Sequence, residues 1–217
     1  MEALKQDIIL FDLDGTLTDS ADGVFRCTRY MQEKMGMRTW TDEELRFMVG
    51  PPLQDTFRKE FGLSEADTKI ALTHFRERYF RIGMFENKVY GGVKEMLAAL
   101  VAMGKRLGVA TSKHEWAAVR ILEHYGLLDY FEVVGGDNAG EKRTDKQSVM
   151  AYVLQKMGAT KENAIMVGDR KYDIDGGHAL GIPAIGVEYG YGDKEELLAH
   201  KAEYIVKTPA ELVALFR

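Results

Sequence analysis

The stretch at residues 8–17, close to the N-terminus, reads IILFDLDGTL. Its four leading apolar residues predict a buried strand, and two carboxylates follow directly where that strand should end. On an extended backbone Asp12 and Asp14 share one face, and Gly15 then lets the chain turn tightly or approach a ligand closely. Ligands and catalytic groups gather at the carboxyl ends of strands in open α/β sheets, so we expect a functional site here. An acidic turn that merely ends a strand is the alternative.

The composition places narrow limits on the kind of protein. A chain of 217 residues is long enough for one large domain, or for a core domain that carries a smaller insert. Its net charge of −5 gives no reason to expect nucleic acid or an acidic membrane as a partner. The single cysteine, Cys27, excludes an internal disulfide and a thiolate zinc cluster. There is no apolar run of transmembrane length and no signal-peptide core, so we expect a cytoplasmic protein.

Strands and helices alternate from about residue 89 onward. The pattern predicts strands at 106–111, 131–134, 164–167, 183–187 and 204–206, with helices at 115–125, 146–157, 174–180, 194–199 and 209–216. Such alternation is typical of an α/β fold, in which a doubly wound, Rossmann-like parallel sheet is covered by helices on both faces.

Residues 20–88 interrupt this alternation. They offer no convincing strand, and helices are predicted at 23–35, 41–48, 54–61 and 65–83. The second of these begins with a capping box completed by Glu44, and the third follows the rigid turn Gly50-Pro51-Pro52. We therefore predict an inserted α-helical domain over residues 20–88 and an α/β core domain formed by residues 1–19 and 89–217.

Two later strand ends carry residues that could complete a site. The strand at 106–111 ends in Thr111 and Ser112, whose hydroxyl and backbone donors precede a helix N-terminus, a natural anion site, although an ordinary helix cap explains them equally well. Asp169 and Asp173 follow the strand at 164–167 and lie four residues apart, so both can face one point. Acidic residues are favourable at a helix start in any case.

These residues together suggest a metal and a phosphate. The carboxylates of Asp12, Asp14, Asp169 and Asp173 form a set suited to Mg²⁺, and such a set would repel itself without a cation. Lys146 follows a basic loop and could reach a phosphate from the start of a helix, although an exposed lysine is usually only solvated. The five histidines include no pair at metal-ligand spacing.

The ordered motifs resemble the haloacid dehalogenase superfamily, in its phosphatase branch with a helical C1 cap inserted after the first motif. The four motifs are DLDGT at 12–16, the strand ending in Thr111-Ser112, a helix opened by Lys146, and GDRKYD at 168–173. They appear in the family's order and span essentially the whole chain. The resemblance implies that residues 20–88 are a cap domain that sets substrate specificity.

Features of the cap and the tail narrow the resemblance. The sequences at 49–53 and 186–192 look like the phosphoglycolate phosphatase group, which includes broad phosphatases and 5′-nucleotidases. The third motif departs from the group because Lys146 is not followed by the usual proline. Relatives of β-phosphoglucomutase carry a histidine and a glutamate where this chain has Val24 and Gly168, which disfavours a mutase.

The resemblance implies catalytic roles for the first and later motifs. Asp12 would be the nucleophile that forms an aspartyl-phosphate, and Asp14 would be the general acid and then the general base. Thr111 would hold the phosphoryl oxygens together with Ser112 and the backbone near Asp14. Lys146 would neutralise the carboxylate and phosphate charge.

It also implies a cofactor and a wider phosphate site. Mg²⁺ would be held by Asp12, the backbone carbonyl of Asp14 and Asp169, with Asp173 at or just beyond the direct ligands. The phosphate site would include Gly15 and Thr16 as well as the hydroxyl and lysine groups already named.

The expected function follows from these roles. We expect a Mg²⁺-dependent phosphomonoester hydrolase that acts on a small phosphorylated metabolite, with phosphoglycolate foremost. A 5′-nucleotidase acting on nucleoside monophosphates is the alternative; a phosphomutase or a non-catalytic phosphate-binding protein is less favoured. We expect a monomer with neither a nucleic-acid polymer nor a membrane as partner.

Overall fold

A six-stranded parallel sheet dominates the computed structural model, which describes residues 3–51, 53–138, 140 and 143–217. Pro52 of the predicted Gly-Pro-Pro turn lies outside the described residues, as do Glu141 and Lys142 of the predicted basic loop.

Strands and helices alternate through most of the chain. The strands are β1 (Ile8–Phe11), β2 (Thr18–Asp19), β3 (Lys88–Val89), β4 (Arg106–His114), β5 (Val133–Asp137), β6 (Ala164–Gly168), β7 (Ala184–Val187) and β8 (Tyr204–Val206). The α-helices are α1 (Ala21–Lys34), α2 (Leu53–Lys59), α3 (Glu65–Tyr79), α4 (Val93–Ala102), α5 (Glu115–His124), α6 (Lys146–Met157), α7 (Lys171–Leu180), α8 (Lys194–Ala199) and α9 (Pro209–Ala214).

The large sheet has the order β5-β4-β1-β6-β7-β8, and all its strands are parallel. Phe11 at the end of β1 pairs with Val109 of β4 on one side and with Val167 of β6 on the other. The chain order reverses at β1, and the carboxyl ends of β1, β4 and β6 therefore meet at one edge, where α/β sheets bind ligands. The predicted fold class, a doubly wound Rossmann-like sheet with an inserted helical cap domain, is confirmed.

Helix α6 packs very close to the sheet. Leu10 and neighbouring strand residues form a buried cluster with apolar residues of this helix, Val153 among them. A Cβ atom added at Gly108 would lie 2.8 Å from a methyl carbon of Val153, and one at Gly135 would lie 2.5 Å from its other methyl carbon. These two glycines therefore permit the close approach that brings Lys146, the first residue of α6, to the carboxyl edge of the sheet.

The chain divides into two compact units, one formed by residues 1–18 and 89–217 and the other by residues 19–88. The second unit contains α1, α2 and α3, and its core includes the fully buried rings of Phe57 and Phe75. Strands β2 and β3, at the two connections to this unit, pair as a separate two-stranded sheet. No helix in the described ranges is long and apolar enough to cross a membrane.

The predicted helix at 41–48 is wrong. The predicted capping-box bonds are present, since the N–H of Thr41 donates to Glu44 Oε2 at 2.8 Å and the N–H of Glu44 donates to Thr41 Oγ1 at 3.3 Å. After this turn the chain forms only a short 3₁₀ helix, Arg46–Met48. Gly50 then adopts φ +103°, a conformation that an α-helix cannot continue through. The capping box therefore marks a helix start correctly, but too few residues follow it to form an α-helix.

Other elements differ from prediction at their ends. Helix α7 begins at Lys171 instead of 174, because Asp173 Oδ2 accepts the N–H of Arg170 at 3.1 Å and closes the first turn. Helix α3 ends at Tyr79, four residues earlier than predicted. Helix α4 was not predicted at all.

Candidate active site

Asp12 lies directly beyond β1, at the carboxyl edge of the sheet. Its backbone N–H still donates to the carbonyl of Val167 in β6 at 2.9 Å. Its side chain is buried, and Oδ1 accepts the N–H of Leu13 at 2.7 Å and lies 2.7 Å from Lys146 Nζ. Two donors on one oxygen fix the orientation of the carboxylate.

Lys146 is a buried lysine, with 7% of its surface exposed. Its Nζ lies 2.7 Å from Oδ1 of Asp12 and 2.7 Å from Oδ1 of Asp173, and it donates to the carbonyl of Ala110 at 3.0 Å. Burial by itself lowers the pKa of Lys146, but the two carboxylates outweigh burial and the net pKa is raised. The ammonium therefore stays charged at neutral pH, and the solvated-lysine alternative is excluded.

Asp169 and Asp173 complete a buried acidic cluster with Asp12. One oxygen of each of these three carboxylates lies within 4.8 Å of the others. Burial, and then the charges of Asp173 and Asp12, raise the pKa of Asp169 well above its usual value. Burial likewise raises the pKa of Asp173 to about 6, although the charge of Lys146 opposes the shift. The cluster is costly to ionise without a further positive charge.

The donor set fits a divalent cation. When all are ionised, the three carboxylates and the ammonium of Lys146 carry a net charge of −2, which the single charge of Arg170 offsets only in part. Carboxylate oxygens are the ligands that Mg²⁺ prefers, and its charge would balance this excess. The predicted contribution of the Asp14 carbonyl stays a prediction.

Two glycines give the acidic cluster the space it occupies. Gly15 adopts φ +83°, and a Cβ atom there would lie 2.2 Å from Oδ2 of Asp169. A Cβ atom at Gly168 would lie 2.1 Å from Cγ of Asp173. The carboxyl group of Asp173 thus occupies the space that a glutamate at position 168 would need, which gives a physical reason for the absence of the mutase-type residue.

Asp14 has a different environment from Asp12, two residues away. Its Oδ2 lies 2.9 Å from Lys113 Nζ, and the two side chains are only 16% and 8% exposed. Its Oδ1 is buried and accepts no hydrogen bond from any residue that the structure describes. Sequence reasoning assigned no role to Lys113. A signal was available, because Lys113 directly follows Thr111 and Ser112 at a predicted strand end, where ligands gather in α/β sheets.

Thr111 and Ser112 belong to β4, which continues to His114, three residues beyond the predicted end. Thr111 is buried, and its hydroxyl accepts the N–H of Lys113 at 3.2 Å. Because β4 pairs with β1, these residues lie at the same edge of the sheet as Asp12. Their phosphate-binding role stays a prediction.

Residues 186–192 entered the sequence analysis only through the family resemblance, and no site role was predicted for the loop that follows β7. The N–H of Tyr191 donates to Asp169 Oδ2 at 2.8 Å, and the hydroxyl of Tyr189 donates to the carbonyl of Thr16 at 3.1 Å. Burial raises the pKa of Tyr189, so its hydroxyl stays protonated at neutral pH. A backbone donor such as the N–H of Tyr191 cannot be predicted from the pattern of side-chain types.

Comparison with known proteins identifies the family. The model of the haloacid dehalogenase-like hydrolases matches residues 9–187, and the chain belongs to this family. The predicted family is therefore confirmed, and with it the predicted enzyme class, a phosphoric monoester hydrolase.

Individual relatives carry several names. A 5′-nucleotidase of Pseudomonas aeruginosa is 37% identical over 213 residues, which are 98% of this chain and 95% of that protein. The tyrosine-protein kinase PtkA of Mycobacterium tuberculosis is 37% identical over 206 residues, 95% of this chain and 67% of that protein. The crystal structure of a predicted phosphatase from Clostridium acetobutylicum superposes with a TM-score of 0.92 at 38% identity, covering 96% of this chain and 97% of that one. Proteins named phosphoglycolate phosphatase match as well.

Proposed function

We propose that this chain is a Mg²⁺-dependent phosphomonoester hydrolase that acts on small phosphorylated metabolites through an aspartyl-phosphate on Asp12. One observation carries the proposal: the two aspartates of the first motif have different partners. Asp12 is fixed by Lys146 within the acidic cluster, whereas Asp14 is paired with Lys113 and keeps one buried oxygen without a donor among the described residues. Two carboxylates in different environments can take different chemical roles.

In the first half-reaction Asp12 attacks phosphorus. Its Oδ1 already accepts two donors, so we assign the attack to Oδ2. The new bond between Oδ2 and phosphorus forms as the bond from phosphorus to the ester oxygen breaks, and protonated Asp14 gives its proton to the departing alkoxide. Lys146 stays charged and offsets the negative charge that gathers around Asp12.

The second half-reaction restores the enzyme. Asp14, now a carboxylate, takes a proton from a water molecule, and the resulting hydroxide attacks phosphorus. The bond to Asp12 breaks, inorganic phosphate leaves, and Asp14 is again protonated. In this proposal the phosphoryl oxygens are held throughout by Thr111, Ser112, Thr16 and the backbone at Gly15.

The acidic cluster supplies the cofactor site in this proposal. Asp12 and Asp169 would hold Mg²⁺, with the carbonyl of Asp14 as a further ligand and Asp173 at or just beyond them. When bound, Mg²⁺ would neutralise and orient the phosphoryl oxygens. The charge balance of the buried carboxylates supports this assignment.

Two substrate classes are candidates. Phosphoglycolate comes first from the sequence features of the cap and tail, and relatives with that name support it. Nucleoside monophosphates are the second class, supported by the relative named 5′-nucleotidase, which is 37% identical over 98% of the chain.

The test is a panel of phosphomonoesters with and without Mg²⁺. Release of inorganic phosphate is measured from phosphoglycolate, nucleoside monophosphates and p-nitrophenyl phosphate, and each is ranked by kcat/KM. The proposal fails if no ester releases phosphate in a Mg²⁺-dependent way. A phosphorylated isomer as product would identify a mutase. Phosphate transferred from ATP to a tyrosine-containing peptide, without phosphomonoester hydrolysis, would identify a kinase.

A further inference from the structure

We propose that Tyr189 is a positioning residue for the Mg²⁺ site. It holds the loop after β7 against the loop after β1, so that both loops keep their hydrogen bonds to Asp169. This inference rests on the proposed Mg²⁺ site. It goes beyond that proposal because Tyr189 touches neither the reacting groups nor the proposed ligands through a side-chain hydrogen bond.

The carboxylate of Asp169 is held by two loops at once. The hydroxyl of Thr16, in the loop after β1, donates to Oδ1 at 3.3 Å. The N–H of Tyr191, in the loop after β7, donates to Oδ2 at 2.8 Å. The orientation of this buried carboxylate therefore depends on the separation of two loops that are distant in sequence.

Tyr189 joins these two loops directly. Its hydroxyl donates to the carbonyl of Thr16 at 3.1 Å. Its ring stands edge-on to the ring of Tyr90, with centroids 5.2 Å apart and an interplanar angle of 63°. Tyr90 is itself tied to the chain that follows the first motif, since its N–H donates to the carbonyl of Leu17 at 3.2 Å. Tyr189 is thus held at both its ring and its hydroxyl.

The loop after β7 packs tightly against Asp169. A Cβ atom at Gly190 would lie 2.3 Å from Cβ of Asp169, and one at Gly192 would lie 2.0 Å from its backbone oxygen. Contact this close means that a shift of the loop must move Asp169 or break the Tyr191 hydrogen bond. A tyrosine that fixes the loop therefore also fixes the ligand.

The decisive variant is Tyr189→Phe, which keeps the ring against Tyr90 and removes only the hydrogen bond to Thr16. Tyr204→Phe, on β8, is the matched control. Binding of Mg²⁺ to the substrate-free protein is measured by calorimetry and by the Mg²⁺-dependent rise in Tm, and the Mg²⁺ concentration for half-maximal activity is measured separately.

We expect Tyr189→Phe to weaken Mg²⁺ binding by about 5-fold, the equivalent of one hydrogen bond. At saturating Mg²⁺ its kcat should return to within about twofold of wild type, because the variant loses ligand orientation and none of the reacting groups. The control should bind Mg²⁺ as wild type does. Tyr90→Leu removes the ring contact but leaves the hydroxyl of Tyr189 in place, and it should also weaken Mg²⁺ binding.

Three results would overturn the inference and leave the proposed function standing. Equal Mg²⁺ affinity in wild type and Tyr189→Phe would show that the hydrogen bond does not position the ligand. A kcat deficit that persists at saturating Mg²⁺, with unchanged affinity, would place the effect of Tyr189 on the reacting groups and not on the metal site. If Tyr189→Phe does not fold, unchanged affinity in Tyr90→Leu decides against the inference. Absence of Mg²⁺ binding in wild type would instead contradict the proposed function and the inference together.

Discussion

Lys113 Nζ lies 2.9 Å from Oδ2 of Asp14, and both side chains are largely buried. This pair is separate from the pair formed by Lys146 and Asp12, at 2.7 Å. Each aspartate of the first motif therefore has its own lysine, and each lysine comes from a different strand–helix unit of the sheet.

Replacing Lys113 with Met should lower kcat by about 10- to 100-fold, the effect of removing a hydrogen bond to a charged group. The reason is that Asp14 loses the partner that orients its carboxylate. Steady-state kinetics at saturating Mg²⁺ measures the effect. Lys105→Met is the control, since Lys105 pairs with Asp7 at the opposite edge of the sheet. An unchanged kcat in Lys113→Met would show that Asp14 works without this partner.

Asp12→Asn should reduce turnover by a factor on the order of 10⁴ or more, because an amide does not replace the attacking carboxylate. Asp7→Asn is a control near the other end of the same strand and should keep wild-type activity. Phosphate release and covalent labelling of the protein by substrate phosphate are measured together. Substantial turnover or labelling in Asp12→Asn would refute the nucleophile assignment.

Lys146→Met should abolish activity and lower the free energy of unfolding by about 3 kcal/mol in the absence of Mg²⁺. The variant leaves Asp12 and Asp173 without their shared ammonium, beside the third buried carboxylate, that of Asp169. Urea denaturation with and without Mg²⁺ measures the change, and added Mg²⁺ should restore part of the stability. Lys156→Met, at an exposed position of the same helix, should leave stability unchanged. Equal stability of Lys146→Met and wild type without Mg²⁺ would contradict the argument.

Glu86→Gln should destabilise the unit formed by residues 19–88, by about 1 kcal/mol at pH 7. Its hydrogen bond to Arg78, at 2.6 Å, lowers the pKa of Glu86 below the ordinary value of 4.5. A lowered pKa in the folded state means that the stabilisation is full above pH 4.5 and is lost as the pH falls through the folded-state value.

The difference between Glu86→Gln and wild type should therefore shrink as the pH falls below 4.5. Fluorescence of Trp40, which lies in this unit, reports its unfolding once the only other tryptophan, Trp116, is replaced by Phe. A difference that stays constant from pH 7 to pH 3 would show that the ion pair contributes nothing.

The sequence alone predicted the site residues that can be recognised by their type and by their position at a strand end. Asp12 and Asp169 follow apolar strands directly, and strand pairing brings such ends together. Lys146 was predicted to meet a phosphate, but its burial between two carboxylates depends on Gly108 and Gly135, whose effect appears only when α6 packs on the sheet.

The rest depends on contacts that leave no local pattern. Tyr191 donates its backbone N–H to Asp169, and the hydroxyl of Tyr189 donates to the carbonyl of Thr16, which is 173 positions away in the sequence. The error at residues 41–48 has a different cause. The capping box formed as predicted, and the chain beyond it, with Gly50 at φ +103°, ended the helix that the box began.

The pairing of β2 with β3 has a consequence for how such a protein can change. The chain leaves for residues 19–88 and returns from them at neighbouring points. An insertion with adjacent ends can lengthen, shorten or be exchanged at small entropic cost, because its closure imposes no strain on the strands around it. The segment between the two strands can therefore change in length or sequence while Asp12 and Lys146 keep their positions at the edge of the large sheet.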